Sequence, residues 1–171
     1  MERSSVTVRR LEPEEWVEFR ALRLAALGAD RLAFGSTLER ESAYPDEKWR
    51  DWCRNGASDP HDATFVALHD GRSVGMAGVF HAEDGYHVWG MWVAPAQRRA
   101  GVGTALLRFA LEWVALRAPG VPVLLDVNPT QEGAVRLYRA HGFEFTGDAQ
   151  PLGHDLPATA QRMVRLGRTA R

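Results

Sequence analysis

The stretch Met91-Trp-Val-Ala-Pro-Ala-Gln-Arg-Arg-Ala-Gly-Val-Gly-Thr-Ala-Leu-Leu107 limits the folds open to this chain more than any other. An apolar, strand-like run stops at Pro95, a basic turn holding Gly101 and Gly103 follows, and Thr104 to Leu116 reads as a helix. Strand, glycine turn and helix in that order make an α/β unit that cradles an anion. The glycines bare backbone N–H groups, and the helix start adds unpaired donors and the positive end of the helix dipole. Arg98 and Arg99 bring charge to the place a phosphate would occupy.

The rest of the chain supplies the partners such a unit needs. Ser5 to Leu11 alternates as a first strand, and Pro13 opens a helix to about Leu27, with Trp16, Phe19, Leu22, Leu24 and Leu27 near helical spacing. Residues 30–45 read as irregular, before a short helix from about Asp46 to Asn55. Phe65 to His69, Ser73 to His81 and Tyr86 to Val93 form a meander turned at Asp70-Gly71 and at Glu83-Asp84-Gly85. Val121 to Val127 lacks alternation, as a strand covered on both faces does. Glu132 to His141 is a helix closed by Gly142, and Phe143 to Gly147 pairs with Gln161 to Leu166 as final strands. Two consecutive strand–helix units imply one parallel pairing at the centre of the sheet.

The 171 residues make one domain, 1–171, with its core at about 6–166. A net charge of −1 argues against general nucleic-acid or membrane binding. Cys53 is the single cysteine, which excludes an internal disulfide and a cysteine zinc site, and no metal is expected. As a nucleophile Cys53 would need a nearby general base, which Trp52-Cys53-Arg54 does not supply, so it reads as a packing residue. There is no apolar run of membrane-spanning length and no signal-peptide core, so a cytoplasmic location is expected.

Two familiar glycine turns fail on spacing. A Walker-type loop needs a Gly-Lys-Ser/Thr ending that is missing here, and a dinucleotide fingerprint needs a third glycine and a later acidic residue. Taken alone, Arg98-x-x-Gly101-x-Gly103 fits either a pyrophosphate cradle or a close-packed helix start. A second constellation lies downstream, Ala134-x-x-Leu137-Tyr138-x-x-x-Gly142-Phe143. With the two in this order and spacing, the chain resembles the GNAT superfamily of N-acetyltransferases, which transfer an acetyl group from acetyl-coenzyme A to an amine. The resemblance spans Val6 to Leu166. It implies an α/β (mixed α+β) fold, with a mixed, mostly antiparallel twisted sheet of about six to seven strands flanked by about four helices.

The resemblance also implies roles. The turn Arg98, Arg99, Ala100, Gly101, Val102, Gly103 and Thr104 would bind the pyrophosphate of acetyl-CoA. The strand Met91, Trp92 and Val93 would pair with its pantetheine arm, and Tyr138 would protonate the departing thiolate. Without the flanking motif, Tyr138 would read as a core residue of an amphipathic helix. The chain departs from the family pattern twice. Gln131 replaces the asparagine often found ahead of Ala134, with Asn128 as a substitute polar contact or a turn starter, and Arg99 replaces the glycine after the motif arginine.

Many family members carry a glutamate on the strand before the turn, and this one carries none. His87 is the only titratable base in that run. It reads equally as general base or half-buried strand histidine, and a relayed water would serve as well. Acceptor contacts are expected from Phe34, Glu39 and Trp89, with Trp89 and Trp92 on opposite faces of the strand. His154-Asp155 reads as acceptor contact or as plain turn. These expectations describe direct acetyl transfer to a small-molecule amine. The alternatives are a protein N-terminal or lysine acceptor, or a non-catalytic coenzyme A sensor. Homodimers are common in the family.

Overall fold

The computed structural model describes residues 6–153 and 156–167. The strands are β1 (Val6–Arg10), β2 (Ala63–His69), β3 (Arg72–Ala82), β4 (Gly85–Val93), β5 (Val123–Val127), β6 (Glu144–Pro151) and β7 (Thr159–Arg165). They form one sheet in the order β1-β2-β3-β4-β5-β7-β6. Every pairing is antiparallel except β4–β5, the parallel pair that the crossover helix imposes.

The helices are α1 (Trp16–Ala29), α2 (Leu38–Ser42), α3 (Asp46–Ser58), α4 (Val102–Arg117) and α5 (Glu132–Ala140). Pro13–Glu15 is a 3-10 turn ahead of α1, so that helix starts later than Pro13 implies. The described residues hold five helices, in keeping with the expectation of about four, the addition being α2 within residues 30–45. Its five residues are too few to show a period, and it is capped by the Thr37 side chain accepting from the Arg40 N–H at 3.2 Å.

Alternation along the strands sends side chains to two cores. Phe65, Ala77, Val79, Tyr86, Val88, Val123 and Leu125 pack with Leu106, Leu107, Ala110 and Val114 of α4. Val66, Met76 and Trp92 pack on the other face with Phe19 and Leu22 of α1 and with Trp49 and Cys53 of α3. The aromatic layer on this second face is close, with Trp49 and Trp52 stacked at 5.5 Å and Trp52 against Trp89 at 5.3 Å.

One irregularity decides where the sheet opens. Trp89 pairs with Gly78 and Trp92 with Met76, so Gly90 and Met91 together oppose Ala77. This is a β-bulge, and Gly90 takes a positive φ of 62° within it. The extra residue puts Trp89 and Trp92 on the same face, contrary to the strict alternation expected from sequence. Trp89 lies on Gly78 so closely that a Cβ there would fall 2.2 Å from its indole.

Arg23 and Glu41 join α1 to α2 by a bidentate ion pair, both bonds 2.8 Å, with Arg23 6% and Glu41 2% exposed. The Arg23 guanidinium also sits over the rings of Phe34 and Trp52, at 4.9 and 5.6 Å. Removing one partner leaves a buried charge alone. Glu41→Ala is therefore expected to destabilise the fold by about 3–5 kcal/mol. The double variant Arg23→Met/Glu41→Leu should recover most of that loss in urea denaturation. A loss below about 1 kcal/mol for Glu41→Ala would show that the pair is not a structural support.

Candidate active site

β4 and β5 pair only through Tyr86–Val123 and His87–Leu124. Beyond these rungs the bulge turns β4 away, the strands part, and a cavity of about 620 Å³ fills the opening. Its walls are the end of β4, the turn into α4, the end of β5 and the first turns of α5. Of the residues expected to hold the cofactor, Met91, Trp92, Val93, Arg98, Arg99, Gly101, Gly103, Thr104, Asn128 and Gln131 all line it. Ala100 and Val102 do not. Val102 is buried under the sheet and Ala100 is exposed on the turn, leaving their backbone as what they can offer.

The turn is built for backbone donors. Gly101 caps α4 at φ 81°, ψ 2°, a left-handed conformation that a glycine takes without strain. The N–H of Ala105 makes a helical bond to the Gly101 carbonyl at 2.9 Å, so the amides just ahead of it project from the helix end. Gly103 serves packing, since a Cβ there would meet Leu137 Cδ2 of α5 at 3.3 Å. Arg99 adopts φ 65°, a left-handed conformation that a glycine would take freely. For an arginine that conformation costs about 1–2 kcal/mol. The turn therefore stays open despite the substitution.

Arg98 lines the cavity, and its side chain is already engaged there. Its Nε donates to the Val93 carbonyl at 3.0 Å and its guanidinium pairs with Asp30, which also accepts from Trp92 Nε1 at 2.6 Å. Arg98 thus ties the end of β4 to the end of α1. Asp30 lines the cavity and escaped sequence reasoning, because 68 residues separate it from Arg98 and no motif marks it. Asn128, 4% exposed, is also committed. Its Nδ2 donates to the Leu32 carbonyl at 3.0 Å, and its Oδ1 accepts from the N–H and hydroxyl of Thr130 at 3.0 and 2.9 Å. It starts the turn after β5 and pins the segment after α1.

Tyr138 comes from the buried side of α5 and is 6% exposed, with its ring edge-on to Phe143 at 5.9 Å. It lines the cavity, and among the described residues its hydroxyl has no hydrogen-bond partner. Burial pushes its phenol well above the ordinary tyrosine range, so it stays protonated. His87, 8% exposed, does not line the cavity, although the next residue, Val88, does. Its ring stacks on Phe80 at 4.9 Å and its Nε2 meets Asp84 Oδ1 at 2.7 Å. That bond is the main cause of the Asp84 carboxyl lying below its usual range. His87 thus lies outside the lining, on the opposite face of β4 from Val88.

The three expected acceptor residues separate. Trp89 lines the cavity, while Phe34 is buried under Arg23 and Glu39 is exposed on α2, and neither of these lines it. The buried carboxylate of that segment is Glu41, held by Arg23. His154 and Asp155 lie outside the described residues. Among the described residues no three His, Cys, Asp or Glu side chains gather as a metal cluster, and no helix is long and apolar enough to cross a membrane.

A mixed sheet that parts beside its parallel pair, a glycine turn at a helix start and a buried tyrosine meet at one cavity. Residues 16–143 match the GNAT acetyltransferase family, and the chain belongs to it. An N-acetyltransferase of Mycobacterium tuberculosis described as uncharacterised is 34% identical over 95 residues, 53% of this chain and 58% of that protein. The chain thus spans little more than half of that relative. The N-alpha-acetyltransferase RimI of the same organism is 31% identical over 115 residues, covering 64% of this chain and 70% of RimI. Streptothricin acetyltransferase of Streptomyces lavendulae is 32% identical over 114 residues, 61% of this chain and 57% of that enzyme. The yncA structure of Salmonella typhimurium, determined with acetyl-CoA, shares the fold at a TM-score of 0.78 and 15% identity, with 98% of each chain covered.

Cys53 is fully buried in the second core, and burial pushes its thiol up to about 12. A raised thiol pKa disfavours the thiolate, so at pH 8 the group is neutral and unreactive. Folded protein is expected to resist iodoacetamide at pH 8 and to be alkylated rapidly in urea, read by mass spectrometry. Rapid labelling of the folded protein would contradict this burial.

Proposed function

We propose that this chain is an N-acetyltransferase that passes the acetyl group of acetyl-CoA directly to the primary amine of a small molecule in a ternary complex. The observation that carries the reading is that Tyr138 and the glycine turn line one cavity at the parting of β4 and β5. Acetyl-CoA, when bound, supplies an activated acetyl thioester. The projecting amides of the turn suit its pyrophosphate, with the added charge of Arg99. The unpaired end of β4 from Met91 to Val93 suits the pantetheine arm as an added strand edge.

Direct attack needs no enzyme nucleophile, in keeping with the buried, neutral Cys53. Tyr138 acts as general acid toward the leaving sulfur, its proton retained at neutral pH by burial. The amine must lose a proton before it attacks. His87, braced by Asp84, is the base we assign, and because it does not line the cavity the proton reaches it through water. The likeness to RimI favours a protein N-terminal acceptor as a second reading, and the likeness to streptothricin acetyltransferase favours the small molecule.

Tyr138→Phe is expected to lower kcat by about 10²-fold while leaving the Kd for coenzyme A within twofold. Equal turnover would remove Tyr138 as acid. Tight coenzyme A binding by the wild type with no turnover on a broad amine panel would make the domain a sensor instead. His87→Ala should lower turnover near neutral pH and lose part of that defect at high pH, where more of the amine is already neutral. An unchanged pH profile would dismiss His87 as base.

A further inference from the structure

The charges on the cavity wall are sorted by location. Arg98 is paired with Asp30, and Arg136 lies 3.6 Å from Glu132 on α5. Arg99 and Asp126 are then the wall charges that these pairs leave over. Arg99 belongs to the turn into α4. Asp126 is on β5, where Val123, Leu125 and Val127 face the α4 core and Asp126 faces the opposite side.

That opposite side is also the side of Trp89. The last rung between the two strands joins His87 to Leu124, and Trp89 and Asp126 stand two residues beyond it, one on each lip of the opening. Both line the cavity. The Trp89 indole is fixed by Gly78 beneath it and Trp52 beside it. Asp126 is fixed by Arg162, whose Nε reaches Oδ1 at 3.0 Å and Nη2 reaches Oδ2 at 3.2 Å, and by Gln150 Nε2 on Oδ2 at 3.0 Å. An ionised carboxylate has about four acceptor sites, which leaves one on Oδ1.

Arg162 does not neutralise this carboxylate outright, because it also meets Asp84 Oδ2 at 3.3 Å. Two carboxylates share one guanidinium, and one negative charge is in excess while His87 is neutral. Arg23, whose guanidinium lies 6.0 Å from the Trp89 ring centroid, has its charge balanced by Glu41, which accepts from Nε and Nη2. A fixed aromatic face and a carboxylate in charge excess, on opposite lips, are the elements that hold an organic cation.

Holding the reacting nitrogen there would work against the reaction, since a carboxylate beside an ammonium favours the protonated form that cannot attack. The cation held must be a different group of the acceptor. We propose that Asp126 and Trp89 form a cleft for a second positive charge, so that the acceptor is a diamine or other dication rather than a simple amine or an amino acid. This rests on the acetyltransferase reading of the site, and deepens it by naming the acceptor class.

The test compares 1,4-diaminobutane, 1-aminobutane and 4-aminobutanoate, by calorimetric binding to the coenzyme A complex and by kcat/KM with acetyl-CoA. The wild type should prefer the diamine over the monoamine about tenfold in both, with 4-aminobutanoate weakest. That preference should shrink as ionic strength rises. Asp126→Asn and Trp89→Leu should each bring the diamine-to-monoamine ratio toward one, with unchanged coenzyme A affinity reporting an intact fold. Should neither variant fold, the salt dependence of the wild-type preference decides. Equal binding of diamine and monoamine, or a ratio indifferent to salt and to both variants, overturns the cleft. Asp126-dependent diamine binding without acetylation of any amine upholds the cleft and overturns the acetyltransferase reading alone.

Discussion

The site depends on a single inserted residue in β4. With Gly90 and Met91 opposing Ala77, the strand gains a residue its neighbour lacks and turns away from β5 after two rungs of parallel pairing. A regular ladder would have zipped the two strands together and left no room between them. The same insertion places Trp89 and Trp92 on one face, and so brings an indole to the lip of the cavity and another into the core below. Gly78 completes the arrangement by lacking the Cβ that would push the upper indole away.

Around this opening most charge is spent on construction. Arg98 and Asp30 fasten β4 to α1, Arg23 and Glu41 fasten α1 to α2, and Asn128 fastens β5 to the segment between those helices. With motif and buried charges occupied in this way, the α4 turn is left with backbone amides and Arg99 as its donors. Backbone donors are fixed by the turn itself and lose no side-chain entropy on binding.

Much of this was legible in the sequence. The strands showed as alternating or apolar runs, the first helix showed helical spacing, and the two motifs indicated the family that residues 16–143 then matched. The order of elements also required a parallel pair at the centre, which β4 and β5 supply. What escaped reading was non-local or too short to carry a pattern. Asp30 meets Arg98 across the fold, α2 is shorter than two helical turns, and the bulge at Gly90 is invisible to an argument from strict alternation. Asp126 lay unremarked in an apolar run because nothing in Leu-Leu-Asp-Val-Asn says which face the carboxylate takes until β5 is registered against β7.

The hydrogen bond from Asn128 to the carbonyl of Leu32 reaches a backbone atom, which every residue type would offer. The segment between α1 and α2 is thus held through the Asp30 side chain and, at Leu32, through its main chain, while Glu41 ties α2 itself. Phe34, buried against Arg23, and Gly35, where a Cβ would fall 2.7 Å from the Leu152 carbonyl oxygen, are tied as well. The exposed Arg31 and Leu32 have the freest side chains of the strip, and because the tie at Leu32 runs through its backbone, its side chain can change without loosening it.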